Sequence, residues 1–463
     1  MKKIIYALNR RMGIYCLIVL LVTGFTAPVC AQAPPDTATK FTPASLRQDF
    51  SVLRDSLEQL HPGLYRYQSK KEMDAVFDDC YRQLDHPMTD VQYFAVISYL
   101  VSHVKDGHTS THLPNAVTKQ LISGARLFPV KLRFIGDQAF VPCDTRLFPA
   151  GTEILAINNE PVKRIRKKLF DYLPSDGNIQ SGKYYEMNDG DSPFFFEYYL
   201  VYGSQPNFSV GYRTADGKRA TIKLEACLFR DVAGLTKPVV PDKYLRFENK
   251  GNGVAVLTVS TFLNDFLRNK QEDFAVFMQN AFMQVTASHI SNLIIDLRGN
   301  AGGNDENGAL LYSYLTDQPF RYQAGAVVIN KSIEKQQHPL SAVQQPQKNN
   351  YDGKVIFLTN GKSFSATSEF CAVARSHQRG IFVGEETGGG YDGDVSGFRT
   401  TVILPNTKIN VNIPETEFSM AVQKAKHKGR GILPDHVVVP AIANYLNHRD
   451  VQMEYAQALC QNK

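Results

Sequence analysis

Asp296-Leu-Arg-Gly-Asn-Ala-Gly-Gly-Asn304 overlaps the end of an apolar run, Leu293–Leu297, and turns it into a glycine-rich loop. The pattern reads as a buried strand that ends in a turn. Similar short apolar runs stand on either side of it in the chain: Val254–Val259, Val355–Leu358 and Ile381–Val383. Between them, residues 267–288, 305–315 and 365–376 carry helical periodicity. Continuous apolar strands separated by amphipathic helices predict an α/β fold around a largely parallel sheet covered on both faces. Such sheets place their ligand sites at the carboxyl ends of the strands.

Three stretches carry chemistry at those ends. In the opening stretch, Gly302 and Gly303 free the backbone to turn N–H groups toward an anion or a developing oxyanion. A glycine-rich turn with no chemistry fits the same residues, and the Gly-Lys-Ser/Thr ending of a P-loop is missing. In Asn360-Gly-Lys-Ser-Phe-Ser-Ala-Thr-Ser-Glu-Phe370, a serine between strand and helix is lifted out of the sheet. Ser365 is the candidate nucleophile there, with the Ala366 N–H as an oxyanion donor. Ser363, Thr367 and Ser368 compete with it, and serine is also a common helix cap. Val104-Lys-Asp-Gly-His-Thr109 offers His108, in a tight turn, as a base. His61, His103 and His112 are alternatives, and a histidine after a helix is often only a surface residue.

The rest of the chain sets the context. Its 463 residues, 51 Lys+Arg against 45 Asp+Glu and 43% hydrophobic content are those of an ordinary globular protein of several domains. Lys2, Lys3, Arg10 and Arg11, the apolar run Tyr15–Val22 and Val29-Cys30-Ala31 read as an export signal, too short to span a bilayer. Ala27-Pro28-Val29 is a poor lead-in for lipid attachment at Cys30. The expected destination is the periplasm or the exterior. Removing the segment takes the formal charge from +6 to +2, and no basic cluster interleaved with aromatics argues for nucleic acid. Cys80, Cys143, Cys227, Cys371 and Cys460 remain, an odd and scattered set that makes neither a disulfide framework nor a zinc site. There is no Cys-x-x-Cys, and neither a metal nor another cofactor is expected.

The organisation follows from these patterns. Residues 32–42 form a flexible lead-in, and residues 43–120 a helical unit that carries His108. Residues 121–225 are β and turn, with hairpin signals at Gly136-Asp137 and Asp216-Gly217. Within them, Ala150–Val162 resembles a stretch of PDZ domains, whose groove takes extended peptide by strand addition. Residues 226–463 make the α/β core, and Ser332–Asn350 reads as a glutamine-rich surface loop.

Together, Asp-Gly-His-Thr, the PDZ-like stretch, Asp-Leu-Arg-Gly-Asn-Ala-Gly-Gly, Ser-Phe-Ser-Ala-Thr-Ser-Glu-Phe, Gly384-Glu-Glu-Thr-Gly and Gly431-Ile-Leu-Pro-Asp435 occur in one order. In that order they resemble the tail-specific, C-terminal-processing family of serine peptidases, in its branch similar to the tricorn core and the retinoid-binding protein. The resemblance runs from about Ser45 to Asp435. It implies a crotonase-like core with an inserted PDZ-like domain, Ser365 as nucleophile, His108 as base, and oxyanion donors on Gly302 or Gly303 and on Ala366. It also implies an endopeptidase acting on extended or unfolded polypeptide.

Two departures stand out. The lysine base of one branch falls at Gly390, so no Ser/Lys dyad is built. The glutamate that orients the histidine in the other branch falls at Lys428. Glu386, Glu415, Glu417 and Asp106 are the candidates to replace it. If none does, the scaffold becomes a catalytically weak or inactive binder of peptides or lipophiles.

Overall fold

The computed structural model describes residues 40–235, 240–329 and 339–461. The expected export signal, residues 1–31, lies outside them, as does the start of the glutamine-rich stretch. Among the described residues no helix is long and apolar enough to cross a membrane, and Cys80, Cys143, Cys227, Cys371 and Cys460 are free thiols.

The chain enters through the helix Pro43–Leu60. Thr42 caps it by accepting the Ser45 N–H, and Pro43 occupies its first turn, where no N–H is needed. Leu46, Phe50, Leu53 and Leu57 form its buried stripe. Ser69 and Glu72 close a reciprocal capping box on the next helix, Lys70–Arg82. The third helix, Asp90–Val104, ends at Lys105, whose φ of 62° is left-handed. That reversal throws the chain into the Asp106–Thr109 turn.

The middle of the chain forms an antiparallel sheet of Arg133–Ile135, Gln138–Phe140, Glu153–Ile157, Asn207–Arg213 and Arg219–Glu225. The helices Val162–Phe170, Ser181–Asn188 and Phe194–Tyr202 accompany it. Sequence reading missed all three: Ser181–Asn188 and Phe194–Tyr202 lack a one-sided apolar stripe, whereas Val162–Phe170 carries one, with Val162, Ile165 and Leu169 buried, that was overlooked. One apolar core joins this sheet to the N-terminal helices.

The core sheet has six strands in the order Leu245–Gly251, Val254–Val259, Asn292–Asp296, Lys354–Thr359, Ile381–Gly384 and His436–Val437. The last five run parallel. Leu293, Ile294 and Ile295 are all fully buried, as a two-sided sheet demands. Phe274–Ala287, Asp305–Ser313 and Ala366–Ser376 contribute to the large core on one face, while Val451–Gln461 contributes Ala456 to the other. The helical run expected over 267–288 is two helices, Asn264–Asn269 and Phe274–Ala287, separated by the left-handed Gln271. Within the stretch expected as a loop, Val343–Gln344 pairs with Phe320–Arg321.

A second sheet was not foreseen. Asn410–Met420 pairs with Gln323–Val328 and Val395–Ile403, and it also takes Ser110–His112 at its start. His108 and Asp394 therefore each lie just ahead of a strand of the same sheet. That shared attachment brings the Asp106–Thr109 turn against the core.

Candidate active site

Adjacent parallel strands deliver three loops to one place: Arg298–Asn304, Asn360–Ser365 and Glu385–Asp394. Ser365 lies at the tightest point of the second. Its φ of 54° and ψ of −132° are those of the first central residue of a type II′ turn, a position that favours glycine. The Thr367 N–H closes that turn by donating to Phe364 O at 3.1 Å. A non-glycine residue held there costs about 1–3 kcal/mol. The helix Ala366–Ser376 starts on the next residue, with its amino end beside the serine.

The neighbouring serine hydroxyls are engaged. Ser363 Oγ donates to Leu297 O at 3.0 Å and accepts the Asn360 N–H at 3.1 Å. Ser368 Oγ donates to Ser363 O at 2.8 Å and accepts the Gly389 N–H at 3.1 Å. Thr367 is fully buried. Of the four competing side chains, Ser365 is the one that is partly exposed.

Gly302 packs directly on this turn, with a φ of 92°. A Cβ on it would meet Phe364 O at 2.7 Å, Ser365 Cβ at 2.8 Å and Ala366 N at 2.9 Å. Gly302→Ala is therefore expected to displace Ser365 and to lower its reactivity at least about 100-fold, while leaving a folded protein. The rate of covalent serine labelling, compared with circular dichroism, checks this. The Gly302 N–H itself donates to Asn300 Oδ1 at 2.9 Å, which takes it away from a substrate. Gly303 is solvent-exposed, so of the two expected donors it is the accessible one.

His108 arrives from the other side. Its ring lies 4.5 Å from that of Phe364, tilted by 30°, and a Cβ on Gly107 would strike Phe364 Cζ at 2.8 Å. The side chain is 9% exposed, with Nδ1 3.8 Å from Asp106 Oδ1 and Nε2 3.8 Å from Asp394 Oδ2. Burial disfavours the imidazolium, but the carboxylates of Asp394, Asp106 and Asp176 outweigh it and push the pKa up to about 9. Burial and the Asp106 charge lift the Asp176 carboxyl to about 7.

Donor atoms of Asp106, His108 and Asp176 come within 4.8 Å of one another. Their oxygens are already engaged. Asp176 accepts the N–H groups of Gly107 at 2.8 Å and Gly390 at 3.1 Å. Asp106 Oδ1 accepts the His108 N–H at 3.1 Å, while Oδ2 accepts from Thr109 N at 2.9 Å and from the Thr109 hydroxyl. The group is thus a hydrogen-bonded brace between the histidine turn and the glycine loop.

Of the four acids expected to face the histidine, only Asp106 does so. Glu386 is paired with Arg430 at 2.8 and 2.7 Å, Glu417 with Arg66 at 2.9 Å, and Glu415 accepts from Thr400. Lys428 is exposed, and Gly390 is buried against Tyr67 and Gly393. Sequence reasoning missed Asp394 and Asp176. Asp394 had a signal, as an acid in a glycine loop at the end of a core strand. Asp176 had none, because it belongs to the segment between the helices Val162–Phe170 and Ser181–Asn188.

Residues 253–438 match the model of peptidase family S41. Two probable CtpA-like serine proteases of Staphylococcus epidermidis are 23% identical over 203 residues, 42% of this chain and 38% of theirs. The chain thus spans well under half the length of these curated relatives. Among solved structures, mature CPAF complexed with lactacystin aligns over 90% of this chain and 98% of its own, with a TM-score of 0.61 at 13% identity. Mature CPAF alone aligns over 90% and 97%, with a TM-score of 0.60 at 14% identity. At such identities the likeness is one of fold. The family that the ordered motifs resemble is thus the one whose model residues 253–438 of this chain match, peptidase family S41.

Proposed function

We propose that this chain is an exported serine endopeptidase that hydrolyses extended or unfolded polypeptide through an acyl-enzyme. The observation that carries the reading is the Ser365 turn, strained and capped by Gly302, with His108 stacked on the residue before the serine. In mechanism, neutral His108 takes the proton of Ser365 Oγ as the oxygen attacks the scissile carbonyl carbon. The carbonyl oxygen becomes an oxyanion and rests on the Gly303 and Ala366 amides, beside the positive end of the helix. The imidazolium then protonates the leaving amine, and the C–N bond breaks. Water, deprotonated by the same histidine, releases the acyl group and restores the serine.

Asp106 is the orienting acid in this reading, because its Oδ1 faces His108 Nδ1 and its other oxygen is pinned. Asp394, at Nε2, stabilises the imidazolium. The core is read as crotonase-like. The middle sheet is read as a PDZ-like insertion that presents an edge to an extended substrate, and the mature protein as periplasmic or secreted. No cofactor enters the chemistry.

One observation favours a second reading, a weak or inactive binder of peptides or lipophiles. With its pKa at about 9, His108 is mostly charged at neutral pH and is then no base. Labelling with a fluorophosphonate, with mass-spectrometric mapping of the adduct, separates the two. Adduct on Ser365 is the expected result, faster at pH 9 than at pH 7. A folded protein that stays unlabelled across that range would favour the binder.

A further inference from the structure

We propose that His61 is a positioning residue for this site, acting through Asp106 on His108; the inference rests on the serine-peptidase reading above. His61 is 45 residues from Asp106 in sequence, yet its Nε2 lies 3.1 Å from Asp106 Oδ2 and 3.0 Å from Thr109 Oγ1. Its side chain is fully buried. An Nε2–H there donates to the oxygen of Asp106 that does not face His108. The carboxylate is thereby held from both ends. Thr109 and the His108 backbone fix it from its own turn, and His61 fixes it from another element.

The backbone around His61 is built for that reach. The His61 N–H caps the helix Pro43–Leu60 by donating to Leu57 O at 3.1 Å, so the ring starts from a rigid end. Pro62-Gly63 then turns the chain under the active site. A Cβ on Gly63 would lie 2.4 Å from Val395 Cγ2, so only glycine lets this turn close against the residue after Asp394. The segment is wedged between the histidine turn and the Asp394 loop.

A purely structural occupant would look different. His61 Nδ1 is buried and has no hydrogen-bond partner. An apolar side chain would fill the site without stranding a polar atom. Keeping the ring is understandable if the other nitrogen has a task. With Asp106 fixed, its Oδ1 stays 3.8 Å from His108 Nδ1, a charge that favours one direction of the ring and can close to a hydrogen bond as the imidazolium forms; without the outer anchor, Asp106 can tilt away and the ring loses that partner.

The test is the rate of fluorophosphonate labelling of Ser365 at saturating probe, in full-length mature protein. His61→Phe removes the donor and keeps a planar ring, though a larger one. It is expected to lower the limiting rate about 10–100-fold, by analogy with the loss of an outer partner of a metal-ligating histidine. The half-saturating probe concentration should change less than twofold. His61→Gln, whose Nε2 can reach Asp106, is expected to recover most of the rate, and His61→Asn, one methylene shorter, is not. Should the phenylalanine variant fail to fold, the Gln/Asn pair decides. Equal limiting rates in wild type and in these variants would overturn the role of His61 alone. So would losses that follow melting temperature regardless of donor. An unlabelled wild type would overturn the peptidase reading and this inference together.

Discussion

Ser365→Ala is expected to abolish peptide hydrolysis, with kcat falling about 10⁴–10⁶-fold, the range seen when the nucleophile of a serine hydrolase is removed. What survives would come from the Gly303 and Ala366 amides and from binding. The fold should be unaffected, because alanine occupies the same turn with one atom fewer and the hydroxyl is not needed to cap the helix. KM should therefore stay within a few-fold of wild type. Hydrolysis of a quenched-fluorescent unfolded polypeptide, followed in parallel with circular dichroism, measures both. Retained hydrolysis would sink the assignment, and no ready substitute exists, since Ser363 and Ser368 are tied by hydrogen bonds and Thr367 is buried.

The second large effect is on pH. A general base must be neutral, and the His108 pKa is raised from 6.5 to about 9, so kcat/KM is expected to climb with pH until about 9. Asp106, Asp176 and Asp394 face the imidazole, Asp305 adds a weaker influence, and Arg66 is the cation that faces Asp176 and Asp394. Asp394→Asn removes the strongest of the pulls that raise the value. The midpoint should move down toward 6.5, and the plateau at high pH should fall, because the imidazolium in the transition state loses a counter-charge. Near neutral pH the two changes oppose each other, so only the full profile is diagnostic. An unchanged midpoint would exclude Asp394 from the site. The sign for stability is separate. A raised histidine pKa stabilises the fold in full below about pH 6.5, and that contribution is lost as pH rises through about 9.

How much of this was legible beforehand depends on how local the signal was. The four inner strands of the core sheet were found to within a residue or so, because two-sided burial writes itself as unbroken apolar runs such as Leu293-Ile294-Ile295, whereas the edge strands Leu245–Gly251 and His436–Val437 were not foreseen. Gly302, Ser365 and His108 were legible because each sits in a turn whose residue types are constrained by the backbone. The second sheet was not, since the alternating, polar-rich Val395–Ile403 and Asn410–Met420 show their pattern only once paired. The acids around His108 were legible only in part. Asp106 shares the histidine's own turn, whereas Asp176 and Asp394 reach it from elements 68 and 286 residues away in the chain. Long-range juxtaposition of that kind leaves no local pattern. The Gly302 N–H is a different case: motif reasoning offers it as a free donor, yet Asn300, two residues earlier in the same loop, takes it.

The strained turn at Ser365 has a further meaning for the history of the chain. Its backbone suits glycine, so folding alone would favour replacing the serine, and the gain of about 1–3 kcal/mol from released strain exceeds the roughly 0.5–1 kcal/mol that glycine's extra freedom in the unfolded chain would take back. A lineage that had stopped using the hydroxyl would drift readily toward glycine here and become more robust by doing so. A serine still standing where stability selects against it is what continued use looks like.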